Sequence, residues 1–142
     1  MEKKGKLASL TELEKRLAYE FNSPELLERA LTHRSYANEH STENAKHNEA
    51  LEFLGDSVLG FIVSFWIFEQ FPQLDEGRLS KIKAYLVSSR TLARRAEALG
   101  LGQFLRLNRG EEKTGGRFKR TLLADAYEAI IAAIFLDGGL TA

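Results

Sequence analysis

The chain has 142 residues, about the length of one domain, and contains no cysteine. The absence of cysteine excludes a disulfide framework, a thiol nucleophile and every zinc site built on thiolates. Hydrophobic residues make up 44% of the chain and charged residues 28%, a balance typical of soluble proteins with a packed core. We therefore expect a single folded unit.

The formal net charge is zero, but the charges are unevenly distributed along the chain. Residues 78–120 carry 12 basic and 3 acidic side chains, whereas residues 1–77 carry 8 basic and 14 acidic ones. A basic segment of this kind can face a polyanion such as a nucleic acid. Charge runs are, however, more often solvated helix faces, and the pattern alone leaves both interpretations open.

Apolar residues recur at helical spacing through nearly the whole chain. The spacing predicts helices over residues 10–21, 25–32, 48–69, 76–87, 89–99 and 121–136, the fifth of them capped by Ser89 or Thr91. Polar residues predict loops over 33–47 and 107–120. We expect the helix over 48–69 to be the longest. Its apolar run at 58–68 is too short to cross a bilayer, so we expect this helix to be buried, and more so than the others. The predicted fold is therefore all-α, without a membrane segment.

Acidic side chains interrupt two of the most apolar predicted helices. In the first, Glu49, Glu52 and Asp56 are three and four residues apart, so they share one helical face. In the second, Asp125 and Glu128 are three residues apart. Two such faces would repel each other unless a cation lay between them, and ligands that offer only oxygen favour Mg²⁺ or Mn²⁺. The spacing therefore predicts a metal site between two helices.

Each of these acidic residues also has a plainer interpretation when it is taken alone. Glu49 and Asp125 could stabilise the N-terminus of a helix, and Glu52 could pair with a basic side chain across an interface. Histidine ligands are not expected, because the three histidines lack the spacing of a metal-binding helix. Capping or ordinary loop polarity is the better explanation for the three histidines, which are His33, His40 and His47.

Four blocks of sequence carry a resemblance to a known family. The signature of bacterial ribonuclease III is similar to HNEALEFLGDSVLG at 47–60, and the second acidic segment of the same endonuclease domain resembles LADAYEAIIAAIFLDGG at 123–139. The family pattern also matches, in the right order, ALTHRSYANE at 30–39 and DEGRLSKIKAYLVS at 75–88. The resemblance implies the helical bundle of a ribonuclease III endonuclease domain.

The resemblance also implies a reaction. It is the hydrolysis of phosphodiester bonds in double-stranded RNA, which leaves staggered ends with 5′-phosphate and 3′-hydroxyl groups. Its cofactor would be Mg²⁺, with Mn²⁺ as a substitute and no organic small molecule. Precursors of ribosomal or messenger RNA would be processed in this way in the cytoplasm. The family's metal-binding acids match Glu52, Asp56, Asp125 and Glu128; the catalytic positions match Asp56 and Glu128, with Glu49 and Glu76 in supporting roles.

Family members are homodimers, which implies a partner-facing role for one aromatic residue. Phe53 lies about 100° around the helix from its neighbour Glu52 and matches the family's interfacial aromatic residue. From spacing alone, Phe53 could equally be an ordinary core residue. Basic side chains would contact the phosphates of double-stranded RNA, and we assign this role to Arg78, Lys81, Arg109, Lys113, Arg117 and Lys119.

The sequence departs from the family pattern at its end. Beyond the turn at Gly138 and Gly139, the family's endonuclease domain continues into another helix, and most bacterial members add a double-stranded-RNA-binding domain. We therefore expect residues 1–142 to form a catalytic domain that lacks its last helix and has no RNA-binding domain, so that RNA binding is weak and salt-dependent. The alternative is a weakly active or inactive dimeric scaffold that only binds double-stranded RNA. Loss of the six acidic residues would be expected of such a scaffold, and all six are present.

Overall fold

The structure is a computed structural model that describes residues 2–40 and 46–142. Within this part, the only extended pairing is an isolated parallel bridge between Thr32 and Arg106, so the all-α prediction is confirmed. Two short 3₁₀ turns, Leu101–Phe104 and Gly116–Phe118, lie on either side of α7. The helices are α1 (Glu2–Leu17), α2 (Pro24–Ala30), α3 (Arg34–Glu39), α4 (Glu49–Gln70), α5 (Glu76–Leu86), α6 (Ser89–Ala98), α7 (Arg109–Lys113) and α8 (Arg120–Gly138).

The core is built around α8 rather than α4. Helix α8 buries seven residues, among them Leu123, Ala126 and Ile130, whereas the longer α4 buries four. The alanines of α8 are small enough to let α2, α4 and α6 pack closely against it. With 22 residues, α4 is the longest helix, as predicted. The prediction that it is also the most buried helix is wrong.

The C-terminal half of α4 presents a wide apolar surface to solvent. Phe61, Phe65 and Phe68 are 60%, 58% and 68% exposed, and Trp66 beside them is 51% exposed. Apolar residues occupy nearly every position here, so periodicity could not indicate which face meets the core. By length and composition alone, α4 as a whole is also long and apolar enough to cross a membrane. The sequence analysis considered only the shorter apolar run at 58–68, which is not. In soluble proteins, a large apolar patch of this kind marks a contact with another protein.

The start of α6 is set by a residue that the sequence analysis did not choose. Ser88 takes the extended backbone of a helix cap, and its Oγ accepts a hydrogen bond from the Thr91 backbone N–H over 3.2 Å. The predicted caps, Ser89 and Thr91, were therefore wrong by one and three residues. Three hydroxyl residues lie within four positions at this point, and only the backbone conformation distinguishes the cap from its neighbours.

Both predicted loops contain a short helix. Helix α3 is capped by His33, whose Nδ1 accepts a hydrogen bond from the Ser35 backbone N–H over 3.1 Å. Helix α7 is capped by Asn108, whose Oδ1 accepts one from the Glu111 backbone N–H over 2.9 Å. The capping interpretation of His33 is thereby confirmed. Residues 41–45 of the first predicted loop lie outside the described residues.

One carboxylate ties the end of α8 to the segment between α1 and α2. Asp137 accepts hydrogen bonds from the Tyr19 hydroxyl over 2.6 Å and from the backbone N–H groups of Asn22 and Ser23 over 2.8 Å each. These donors, the Tyr19 hydroxyl foremost, hold the pKa of Asp137 below its ordinary value. The resulting stabilisation is present above the pKa of the unfolded carboxyl and is lost as the pH falls through the lowered folded pKa.

Asp137→Asn is expected to lower the midpoint of thermal unfolding at neutral pH, because an amide is a weaker acceptor than a carboxylate. The difference from wild type should begin to shrink below about pH 4, the ordinary pKa of an aspartate, and should disappear once the pH has fallen through the lowered pKa of the folded carboxyl. Differential scanning fluorimetry across this pH range measures both effects. The matched control is Asp75→Asn, since asparagine caps α5 as well as aspartate does. Equal midpoints for Asp137→Asn and wild type at neutral pH would contradict the assignment.

Candidate active site

The two acidic helices meet at a glycine. Helices α4 and α8 cross where Gly55 lies against the backbone carbonyl of Glu128, and a Cβ at this position would overlap that carbonyl. Only a residue without a side chain allows two helix backbones to approach so closely. The crossing therefore brings the carboxylates that flank Gly55 on α4 within reach of those on α8.

Three carboxylates converge at this crossing. Oxygen atoms of Glu52, Asp125 and Glu128 all lie within 4.8 Å of one another, and the three side chains are half-buried. Asp56, one turn after Glu52, is more exposed and forms a side-chain hydrogen bond with Glu128. We call these four residues the acidic cluster. They are the four residues that the resemblance matches to metal ligands.

Two carboxyl pairs bridge α4 and α8 within the acidic cluster. Burial first, and then the interaction with Asp125, raises the pKa of Glu52 to about 7. Burial first, and then the hydrogen bond with Asp56, raises the pKa of Glu128 to about 8. Burial also raises the pKa of Asp125. Near pH 7, Glu52 is therefore partly protonated and Glu128 mostly protonated, and protons held between the facing carboxyls reduce the repulsion between the helices.

The acidic cluster fits a divalent metal ion. Its side chains offer only oxygen ligands, which Mg²⁺ and Mn²⁺ prefer. None of the ion pairs among the described residues involves any of the four carboxylates. Within the described part of one chain, protons rather than lysine or arginine thus balance the charge of the cluster, and a cation could replace those protons.

A cavity of about 620 Å³ opens beside the acidic cluster. Glu49, Glu52 and Asp125 line one part of it, and residues of α3 and α7 line the rest. Arg34 lies in this lining and forms an ion pair with Glu49 over 3.2 Å. His33, assigned only to capping or loop polarity from the sequence, lines the cavity too. Sequence reasoning missed the uncharged lining residues, which no charge pattern marks: Ser35, Asn38, Asn48, Asn108 and Leu122.

Two further predicted residues lie apart from the acidic cluster. Glu76 is exposed in the first turn of α5 and does not line the cavity, so a single chain does not bring it to the cluster. Phe53 is 80% exposed, which excludes the interpretation of this residue as part of the core. Its exposure leaves the predicted role in a dimer interface open.

The six predicted RNA-binding residues differ in their surroundings. Arg78 and Lys81 are exposed on α5, and Arg109 and Lys113 are exposed on α7. Arg117 is instead engaged within the chain, where it donates hydrogen bonds to the carbonyls of Gly102 and Leu105 and forms an ion pair with Glu112 over 2.7 Å. A guanidinium with three internal partners braces the loop, and the predicted contact of Arg117 with RNA stays a prediction.

Lys119 also has partners within the chain, and its predicted contact with RNA likewise stays a prediction. Its ammonium group forms an ion pair with Glu111 over 3.0 Å and donates a hydrogen bond to the Thr114 hydroxyl over 3.2 Å. In a segment as rich in basic residues as this one, the sequence pattern could not distinguish a lysine that holds the loop from one that faces solvent. The ion pair with Glu111 of α7 identifies Lys119 as a lysine that holds the loop.

Comparisons with known proteins agree with this geometry. The family described as Ribonuclease-III-like matches residues 23–142. Ribonuclease 3 of Geobacter metallireducens is 53% identical over 133 residues, which cover 93% of this chain and 54% of that protein. Ribonuclease 3 of Listeria welshimeri is 46% identical over 129 residues, which cover 91% of this chain and 56% of that protein. The chain thus spans about half the length of the curated relatives it matches.

Solved structures give the same relationship in three dimensions. The nuclease domain of ribonuclease III from Campylobacter jejuni superposes with a TM-score of 0.85 at 43% identity, covering 92% of this chain and 87% of that one, and its structure is described as flexible in a region involved in dimer formation. Dicer from Pichia stipitis superposes with a TM-score of 0.61 at 31% identity, covering 85% of this chain and 49% of that one. On the sequence match and the fold, this chain belongs to the ribonuclease-III-like family.

Proposed function

We propose that this chain is the catalytic domain of a metal-dependent endoribonuclease that hydrolyses phosphodiester bonds in double-stranded RNA. The observation that carries the proposal is the crossing at Gly55, where four carboxylates from two helices meet beside an open cavity. Relatives named ribonuclease 3, at about half identity across nearly the whole chain, support the same activity. By the same resemblance we place the protein in the cytoplasm, acting on precursors of ribosomal or messenger RNA.

In this proposal, Mg²⁺, or Mn²⁺ in its place, is held by Glu52, Asp56, Asp125 and Glu128. When bound, such an ion supplies an activated water and stabilises the negative charge that develops on phosphate oxygens. Glu49 serves in support, because it lies at the cavity and holds Arg34 in the lining. Glu76 is assigned a supporting role by resemblance only.

Hydrolysis adds the oxygen of a water molecule to the phosphorus and breaks the bond between phosphorus and the 3′ oxygen. The proton released by the water leaves through solvent or a neighbouring carboxylate, and the departing 3′ oxygen takes up a proton to become a hydroxyl. The products are a 5′-phosphate and a 3′-hydroxyl end. No covalent intermediate with the protein is required, which is consistent with a chain that contains no cysteine.

We infer that two copies of the chain act together. The exposed apolar surface of α4, including Phe53 and the aromatic residues of its C-terminal half, is large enough to mark a protein contact. The nuclease domain of the Campylobacter jejuni relative has a region involved in dimer formation. A twofold axis repeats the acidic cluster once, so each copy would cut one strand and the products would have staggered ends.

Exposed basic residues on α5 and α7 then provide contacts for RNA phosphates. We assign this role to Arg78, Lys81, Arg109 and Lys113. Contacts with phosphates and 2′-hydroxyl groups recognise the shape of A-form RNA more than its sequence. Binding should therefore weaken steeply as salt is added.

The test is digestion of a long RNA duplex, with single-stranded RNA and a DNA duplex of the same sequence as comparisons. The proposal predicts cleavage of the RNA duplex only, dependent on Mg²⁺ or Mn²⁺ and abolished by a chelator. Product ends should accept a 3′ adapter directly and require no added 5′ phosphate. Binding of the RNA duplex without cleavage would overturn the proposal and favour a non-catalytic scaffold.

Metal binding should release protons. With pKa values of about 7 for Glu52 and about 8 for Glu128, more than one proton per ion is expected to leave at neutral pH, because metal ligands must be deprotonated. Affinity for Mg²⁺ should therefore rise between about pH 6 and about pH 8. Isothermal titration in buffers of different ionisation enthalpy measures the proton count. Release of no protons, with unchanged affinity across this range, would contradict a metal bound by these carboxylates.

A further inference from the structure

One aromatic side chain stands out from the basic loop before α8. Phe118 is 84% exposed and ends the short 3₁₀ turn Gly116–Phe118. Its neighbours in the sequence are charged or glycine, so no apolar cluster on the same segment explains its position. A single exposed apolar residue is ordinary on a protein surface, so exposure alone does not give Phe118 a binding role.

The turn that carries Phe118 is fixed on both sides. Arg117 points inward, with its guanidinium bonded to the carbonyls of Gly102 and Leu105. Lys119 also points inward, held by Glu111. Because both neighbours are anchored, the backbone at Phe118 has little freedom, and the ring projects into solvent. A rigid aromatic surface loses less conformational entropy on binding than a mobile one.

Basic side chains are exposed on the segments next to this turn. The turn packs against α7, where Arg109 and Lys113 are exposed, and Arg120 is exposed two residues further along. Among the described ion pairs, none involves these three residues. A flat apolar ring among free cations is complementary to a nucleobase and its phosphates, because the base can stack on the ring while the cations meet the backbone. A partner protein would need an acidic rim around an apolar pocket to fit the same surface.

We propose that Phe118 is a stacking platform for an unpaired nucleobase of the RNA substrate. The inference rests on the proposed function and adds a preference within it. In a continuous duplex the bases are stacked on one another, so only a base in a bulge, an internal loop or an end can lie on Phe118. The ring lies two residues before the start of α8, and Asp125 lies five residues after that start, about 7.5 Å along the helix axis. Cleavage should therefore be favoured a short, fixed distance from an unpaired base.

The test compares two RNA duplexes of equal length, one fully paired and one with a small internal loop. For wild type, the ratio of kcat/KM for the looped duplex to that for the paired duplex should exceed one. Phe118→Ala is expected to lower this ratio by about fivefold or more, since stacking on an aromatic side chain contributes about 1–3 kcal/mol per base. Phe118→Trp should keep the ratio and Phe118→Leu should lose it, because leucine has no aromatic face.

Several outcomes would overturn the platform. They are an unchanged ratio in Phe118→Ala, equal losses on both duplexes, or full retention by Phe118→Leu. A change in oligomeric mass on Phe118→Ala would show that the ring meets a protein instead. If wild type cuts neither RNA, the proposed function fails separately. Fluorescence anisotropy with the same two RNAs in the absence of metal then still tests the stacking platform. The expected result is that Phe118→Ala weakens binding of the looped RNA only.

Discussion

Glu128→Gln is expected to abolish metal-dependent cleavage of double-stranded RNA while leaving the fold intact. The amide keeps the size and shape of the side chain but offers no negative charge to a metal. Loss of one such electrostatic interaction in a transition state is worth about 3–4 kcal/mol, or a rate lower by a few hundredfold. Single-turnover cleavage of a labelled RNA duplex in saturating Mg²⁺ measures the loss.

The stability of this variant provides an independent readout. Burial and Asp56 raise the pKa of wild-type Glu128 to about 8, so the wild-type residue is mostly neutral at pH 7 without metal, as glutamine is. In the unfolded chain, however, this carboxyl is ionised above about pH 4.5, so the metal-free variant and wild type should unfold at the same temperature only near or below that pH. In wild type, the stabilisation linked to this raised pKa is complete below the unfolded value of 4.5 and is lost as the pH rises through about 8. The variant should thus become progressively more stable than metal-free wild type between about pH 4.5 and about pH 8, a range that includes neutral pH.

The matched control is Glu97→Gln, which makes the same change of charge at an exposed position on α6. It should cleave RNA at the wild-type rate. Cleavage by Glu128→Gln at more than about a tenth of the wild-type rate would contradict the assignment of this residue to the metal site.

Gly55→Ala is expected to disrupt the fold and the acidic cluster together. A methyl group at this position would overlap the backbone carbonyl of Glu128, and a backbone can yield only if the two helices separate. Overpacking against an immovable neighbour is among the mechanisms that lower the free energy of unfolding by about 3 kcal/mol or more. Urea denaturation followed by circular dichroism measures this change, and the added stability that Mg²⁺ gives should be lost in the same experiment.

Gly60→Ala is the control on the same helix. A Cβ at Gly60 would meet only the end of the Lys83 side chain, at 3.7 Å, which is ordinary contact with a flexible group. Alanine also favours a helix over glycine by up to about 1 kcal/mol. This variant should therefore be as stable as wild type or slightly more stable. Equal stability of Gly55→Ala and Gly60→Ala would contradict the close crossing of α4 and α8.

The helical periods and the acidic residues could be predicted because both depend on local spacing. Residues three or four apart on a helix share a face in any fold, so the facing of Glu52 with Asp56, and of Asp125 with Glu128, followed from the sequence. The meeting of the two pairs could not follow from it. The meeting depends on Gly55 contacting the backbone of Glu128, and a glycine within an apolar helix does not indicate which helix approaches it.

Other features depended on long-range contacts that a local pattern does not contain. The spacing predicted that the first helix continues to Phe21, whereas α1 ends at Leu17 and Ala18 takes a left-handed backbone with φ of 55°. The following residues are engaged by Asp137, which is far away in sequence. In the basic loop, the charge pattern likewise could not separate Arg117, which braces the loop, from Lys113, which faces solvent.

Anomalous diffraction from crystals of the wild-type chain soaked in Mn²⁺ would test most directly whether the acidic cluster holds a divalent ion. The account predicts a strong anomalous peak between α4 and α8, with oxygen atoms of Glu52, Asp56, Asp125 and Glu128 as its protein ligands or as partners of its bound water. A peak elsewhere with none at this crossing, or no peak at saturating Mn²⁺, would contradict it.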